Sequence, residues 1–345
     1  MTYTGAKAAQ VDFTVTGGAG NDVFNSGSGA NDSQFTGGAG TNTFNLQSTG
    51  TYAVKDLKGS DVLAVSGVAT SVVGTVTADF KATSASTNVA VDNTKVVLTA
   101  AAGKDIDMSS SGATTGYTLN GNTGAETITG SAQADVIDGK AANDTIDGGN
   151  GADNINGGSG LDSIKGGAGA DDFILDDQVK STTATEVDVI TDFTVADTDQ
   201  LGNFSIADLK GLTVVSNVVS MDDISAIIAD DAIKTTTVTG KTDLDAVNTD
   251  QITLSSTTAF TTTTLATALS TGGALEIKSD QKRLAASGSV VFYDNNVDTF
   301  AAVITNAIEI ADGAAGAYVV TNLAQIKGVA DATTIVDANL LTIIA

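Results

Sequence analysis

Between residues 121 and 174 the chain repeats itself every nine residues: GNTGAETIT, GSAQADVID, GKAANDTID, GGNGADNIN, GGSGLDSIK, GGAGADDFI. The first position is always glycine (Gly121, Gly130, Gly139, Gly148, Gly157, Gly166). The sixth is always acidic (Glu126, Asp135, Asp144, Asp153, Asp162, Asp171), and the eighth is always large and apolar (Ile128, Ile137, Ile146, Ile155, Ile164, Phe173). One such unit buries almost nothing, so it cannot fold alone. Two units make one turn of a flattened coil, and stacked turns align the apolar residues into a continuous core. The last three residues of each unit form a very short strand, and the glycine-led residues before it form the turn. The expected fold is therefore all-β: a right-handed parallel β-roll with flanking β-strand segments and a mixed C-terminal cap.

The acidic position needs its own explanation. Stacking brings the carboxylates of successive turns together, and like charges at short range are costly. A hard cation between them reverses the sign. Carboxylates and the backbone carbonyls of a glycine-rich loop offer only oxygen, and an irregular loop suits calcium better than magnesium. Composition agrees. The chain carries 41 acidic against 16 basic residues, a net charge of −25. Such a surface repels nucleic acid and anionic membranes. There is no histidine, cysteine, tryptophan or proline in the 345 residues. Without His or Cys the usual zinc, copper and haem ligands are missing, and a Ser-His-Asp triad is excluded. Turns must rely on Gly, Asn and Asp. No run of eighteen apolar residues is present, and the opening MTYTGAKAAQ lacks the apolar region of a secretory signal.

A degenerate copy of the repeat lies near the N-terminus. Residues 17–25 read GGAGNDVFN with Asp22 in place, and residues 37–45 read GGAGTNTFN with Asn42 at the acidic position. Between them GSGANDSQF carries Asp32 one residue out of phase. Each glycine-rich block is followed by an alternating segment, YAVKDLKGSDVLAVSG (52–67) and VDVITDFTVADTDQLGNF (187–204), expected to close the open end of its coil. Asp56 and Asp61, or Asp192, Asp197 and Asp199, have two open readings: completing terminal cation sites, or only turning the chain. The expected organisation is a short degenerate roll over 1–66, a β-strand segment with one wet face over 67–120, the main roll over 121–204, and a β-rich domain over 205–345. Within the last, residues 224–233 suit a short helix, 259–273 suit helix or strand, 288–296 suit a strand and turn, and 298–311 suit either a helix or a long strand. The end, TTIVDANLLTIIA, is apolar and almost uncharged.

GGAGNDVFN, GGNGADNIN and GGSGLDSIK resemble the nonapeptide of the RTX family, calcium-binding parallel β-roll proteins. The resemblance implies that the first six residues of each unit bind calcium and the last three form the strand. Carried onto this sequence, it makes Asp135, Asp144, Asp153, Asp162 and Asp171 ligands, with Asp22, Asp32 and the less typical Glu126. VITDFTVADTDQL resembles the acidic segment that closes such rolls, which brings in Asp192. GSVVFYDNNVDTFAAVI and the apolar end look like the C-terminal region of RTX surface and S-layer proteins. The implied export is type I secretion with an uncleaved C-terminal signal, and the implied site of folding is outside the cell, where calcium is abundant.

Three functional classes follow. The first is a calcium-dependent structural subunit of the cell surface, in an S-layer, sheath or filament, self-assembling into a homo-oligomer or lattice. It suits the repeats, the Thr/Ser/Ala/Val-rich β composition and the lack of a catalytic set. The second is a calcium-dependent adhesin or polysaccharide-binding module, with Tyr52, Phe80, Tyr117 and Tyr293 as its few aromatics and core packing as their simpler role. The third is a secreted carbohydrate-active enzyme, for which carboxylates abound but no pair stands out. The expectation is that the chain is not an enzyme, does not bind nucleic acid and does not insert into membranes.

Overall fold

The computed structural model describes residues 2–4, 13–26, 32–47, 50–67, 70–175 and 187–202, with shorter stretches at 235–238, 242–243, 251–254, 277–278, 288–294, 298–306 and 318–329. The short helix expected at 224–233, the helix or strand expected at 259–273 and the apolar end at 333–345 lie outside these. Two compact units divide after Asp172.

The first unit is a predominantly parallel β-solenoid. Its strands are β1 (Thr2–Thr4), β2 (Phe13–Thr16), β3 (Val23–Asn25), β4 (Ser33–Thr36), β5 (Thr43–Leu46), β6 (Gly50–Gly59), β7 (Val62–Val65), β8 (Thr70–Lys81) and β9 (Thr87–Asn88). There follow β10 (Val96–Ala100), β11 (Ile106–Asp107), β12 (Thr118–Asn122), β13 (Thr127–Thr129), β14 (Val136–Lys140), β15 (Thr145–Asn150), β16 (Asn154–Asn156) and β17 (Ser163–Ala168). Each strand pairs with a strand one turn away, not with its sequence neighbour. One sheet runs β1-β3-β5-β7-β9. A second runs through β2, β4, β6, β8, β10, β12, β14 and β16. The twelve-residue β8 also pairs with β11 at Phe80 and Lys81, and so starts a third ladder through β13, β15 and β17.

The turns lock into an eighteen-residue period only from β12 onward. Thr118 pairs with Val136 and Val136 with Asn154, whereas earlier Val72 pairs with Val96 and Val97 with Thr118. The strict nonapeptide is the part of the sequence that keeps this pitch.

The core follows the alternation of the strands. Ile128, Ile137, Ile146, Ile155 and Ile164 are all buried. Phe24, Phe35, Phe44 and Tyr52 fill the N-terminal turns, with Phe24 stacked on its ladder partner Phe44 at 4.9 Å. A single buried isoleucine per nonapeptide removes roughly 1.5–3 kcal/mol of apolar exposure, and a column of them holds the coil together.

Two expectations change. Residues 52–67 do not close a coil. β6 is hydrogen-bonded on one side to β4 and on the other to β8, and β7 lies between β5 and β9. The reason is that Tyr52, Val54, Leu57, Leu63 and Val65 point inward like the residues of any other turn. Likewise β8 and β10 are strands with one wetter face, as expected, but they are parallel rungs of the same solenoid. The ladder therefore crosses both positions, after 66 and after 120, where the sequence suggested a division.

In the second unit, Asp188–Ile190 pairs in parallel with Tyr318–Ile326. Thr299–Asn306 pairs antiparallel with both Gly288–Asp294 and Tyr318–Ile326. The expected strand at 288–296 is present as Gly288–Asp294, and 298–311 contains a strand, not a helix, at Thr299–Asn306. Val195–Asp197 forms one turn of 3-10 helix. Among the described residues no helix is long and apolar enough to cross a membrane.

Candidate metal centre

The sixth-position acids form two regular ladders on the edges of the coil. On one, the Glu126 backbone N–H donates to Asp144 Oδ1 at 2.7 Å, and the Asp144 N–H donates to Asp162 Oδ1 at 2.7 Å. On the other, the Tyr117, Asp135 and Asp153 N–H groups donate to the Oδ1 of Asp135, Asp153 and Asp171 at 2.6, 2.8 and 2.9 Å. Each bond spans eighteen residues. One oxygen of each aspartate thus satisfies a buried backbone donor in the turn before, a structural role independent of any ion.

The second oxygen divides the loops into two kinds. In closed loops it accepts an N–H from its own turn, four residues back. Asp22 Oδ2 takes Gly18 N–H at 2.8 Å, Glu126 Oε2 takes Asn122 N–H at 2.9 Å, and Asp135 Oδ2 takes the Ser131 N–H at 2.6 Å and its hydroxyl at 2.9 Å. In the later loops the second and fourth positions both adopt positive φ: Lys140 (78°) and Ala142 (83°), Gly149 (108°) and Gly151 (123°), Gly158 (85°) and Gly160 (158°), Gly167 (106°) and Gly169 (141°). Here the second-position N–H turns elsewhere, as Lys140 N–H to Asp138 and Gly158 N–H to Asn156. The Oδ2 atoms of Asp144 and Asp153 are fully buried and accept no hydrogen bond from any described residue.

Those oxygens are tucked into their own loops. A Cβ on Gly139 would sit 2.6 Å from Asp144 Oδ2, and one on Gly148 would sit 2.5 Å from Asp153 Oδ2. Glycine at the first position is therefore the floor of a cradle. The same glycine also lets turns approach: a Cβ on Gly130 would lie 1.9 Å from the Gly148 carbonyl of the next turn.

Burial raises the pKa of these carboxyls above the usual carboxylate range. Desolvation pushes Asp135 and Asp162 up to about 6, Asp144 to about 7 and Asp153 to about 8. The carboxylates one turn away add to it, Asp162 and Glu126 for Asp144, Asp135 and Asp171 for Asp153. At the usual inter-strand spacing of about 4.8 Å two such charges repel by roughly 3 kcal/mol at an effective dielectric near 20. A buried carboxylate oxygen without a donor, in a glycine-floored loop, fits calcium. Among the described residues no three His, Cys, Asp or Glu side chains converge on one point. Backbone carbonyls must therefore supply much of any coordination shell.

Lys140 and Ala142 take left-handed conformations that their neighbours fill with glycine, at roughly 1–2 kcal/mol each. Ala142→Gly is expected to stabilise the calcium-loaded coil by about 0.5–1 kcal/mol after the looser unfolded chain is counted. A denaturant midpoint that falls would show that Ala142 is not strained.

The other candidate residues differ. Asp32 is exposed and its Oδ1 accepts Thr51 N–H at 3.0 Å. Asp192 is half-buried in a bend, while Asp188 and Asp199 in the same segment are buried, with Asp199 Oδ2 accepting Thr194 N–H at 2.7 Å. Asp56 caps Gly37 and Gly38 N–H, and Asp61 caps Asn42 and Lys58 N–H, so both serve the turn-forming role. One residue that the sequence did not mark out is Asn42, whose Oδ1 accepts the Asp22 N–H at 3.0 Å. Its signal was the amide standing at the acidic position of an otherwise regular loop.

A family model described as the RTX calcium-binding nonapeptide repeat (4 copies) matches residues 14–32, 120–155 and 147–178. The chain thus carries RTX calcium-binding repeats on a β-solenoid. No curated protein and no solved structure matched the chain.

Proposed function

We propose that the chain is a calcium-dependent extracellular structural protein of the cell surface, a lattice or filament subunit that folds and self-assembles where calcium is plentiful. The observation that carries it is the buried, donorless Oδ2 of Asp144 on one edge of the coil and of Asp153 on the other, which tie order in the main coil above the titration of these groups to a cation. The calcium-binding repeat and the solenoid support the coarse reading, and the chain's lack of His and Cys supports a non-enzymatic role. Export by type I secretion and location at the surface belong to the same proposal. The adhesin reading receives less support: Tyr52, Phe80 and Tyr117, which would stack on sugar rings, are buried in the core.

The test is sedimentation and negative-stain imaging of the purified chain, in chelator and then in millimolar calcium. Sheets or filaments that form only with calcium are expected. A calcium-bound particle that stays monomeric at every concentration would overturn the structural reading and make glycan binding the next measurement.

A further inference from the structure

The loop of residues 37–42 has the open backbone of the cation-ready loops but a different occupant. Gly38 and Gly40, its second and fourth positions, have φ of 80° and 95°, as do their counterparts in the later loops. At the sixth position stands Asn42, fully buried. Its Oδ1 accepts the Asp22 N–H at 3.0 Å, the same service each later aspartate gives the turn before it. Its Nδ2 then points into the loop, 3.5 Å from the Gly38 carbonyl and 3.4 Å from the Gly40 carbonyl. These are long contacts, but they show which groups line the loop interior: carbonyl oxygens, facing the position that corresponds to the unsatisfied oxygen of Asp144 or Asp153 in its own loop.

The next turn continues the substitution. Asp61 Oδ1 accepts the Asn42 N–H at 2.6 Å and its Oδ2 the Lys58 N–H at 3.2 Å. Asp56 takes the N–H groups of Gly37 and Gly38, at 2.5 and 2.8 Å, and the Lys58 ammonium lies 3.1 Å from its Oδ2. Both carboxylates have both oxygens engaged by protein donors, one of them a built-in cation.

We propose that the Asn42 amide occupies the position of a metal ion, so that the 33–65 turns close without calcium and provide a preformed end of the solenoid, from which the ladder runs through β8, β10 and β12 to the calcium-dependent turns of 139–171. This rests on the calcium reading of the Asp144 and Asp153 loops. A solenoid grows by adding turns to an existing one, since the first turn has no partner and each later one gains a full ladder. A metal-free end removes that first step from the calcium-dependent process.

The test is hydrogen exchange on the full chain with and without calcium, followed by calcium stoichiometry of Asn42→Asp. Peptides from 33–65 are expected to keep their protection in chelator. Those from 139–171 are expected to lose it by on the order of a hundredfold, the bias one site gives when filled at about a hundred times its Kd. Asn42→Asp is expected to bind one more calcium per chain and to make 33–65 sensitive to chelator. Loss of protection at 33–65 in the unaltered chain, or an Asn42→Asp chain with unchanged stoichiometry, would overturn the inference. Protection at 139–171 that ignores calcium would overturn the calcium reading alone, because the 33–65 peptides are scored separately.

Discussion

In chelator, the turns from residue 139 to 171 are expected to be ordered at pH 5 and to lose that order as the pH rises to 8. The carboxyls of Asp135, Asp144, Asp153 and Asp162 titrate at about 6 to 8 in the folded coil because burial disfavours their anions. In an unfolded chain the same groups titrate near 3.9. Between those values the folded coil binds more protons, so acid favours folding and alkali opposes it. The stabilisation is fully present below about pH 4 and disappears as the pH passes through 6 to 8. Calcium reverses the dependence, because it binds the deprotonated oxygens: with calcium the coil is ordered at pH 8, and acid competes the ion away. Circular dichroism across this range, with and without calcium, reads both curves. Order in chelator that falls steadily on acidification would contradict the burial of these groups.

Asp153→Asn and Asp153→Ala are expected to separate the two jobs of one side chain. Asp153 Oδ1 holds the buried Asp135 N–H at 2.8 Å, and Oδ2 has no donor. Asparagine keeps the first contact and places an amide donor in the loop, as Asn42 does at its own. That variant should lose one calcium per chain yet be more stable than the unaltered protein in chelator at pH 8, because the cost of burying or protonating the carboxylate is gone. Alanine removes the cap as well and strands a buried N–H, at about 1–3 kcal/mol. It should be less stable than Asp153→Asn in both conditions. Thermal melts with bound calcium counted in parallel decide the matter. Equal behaviour of the two variants would mean that the ladder of N–H bonds contributes nothing.

Much of this was legible beforehand, for identifiable reasons. The invariant first, sixth and eighth positions of residues 121–174 specify the parallel coil because each has a separate physical duty: close approach, edge chemistry and core. Residues 52–120 were harder. Their strands alternate like those of any half-wet sheet, and alternation reports which side is buried without reporting the partner. Only the three-dimensional ladder shows β8 handing one sheet on to two. Three of the open loops carry glycine at both positive-φ positions, but the open state of the 139–144 loop was hidden, since it turns on the φ of Lys140 and Ala142, residues that would not be chosen for positive values. Their conformations are imposed by the stack.

The pairing of Thr118 with Val136 and of Val136 with Asn154 fixes what changes in length the main coil can absorb. Its modular currency is the whole revolution, not the nine-residue motif. Gain or loss of eighteen residues leaves each later rung of the coil in its sheet and each carboxylate on its edge. Gain or loss of nine sends every later rung to the opposite sheet and exchanges the two edges. Tandem duplication during evolution, and deliberate lengthening at the bench, should therefore proceed in pairs of nonapeptides.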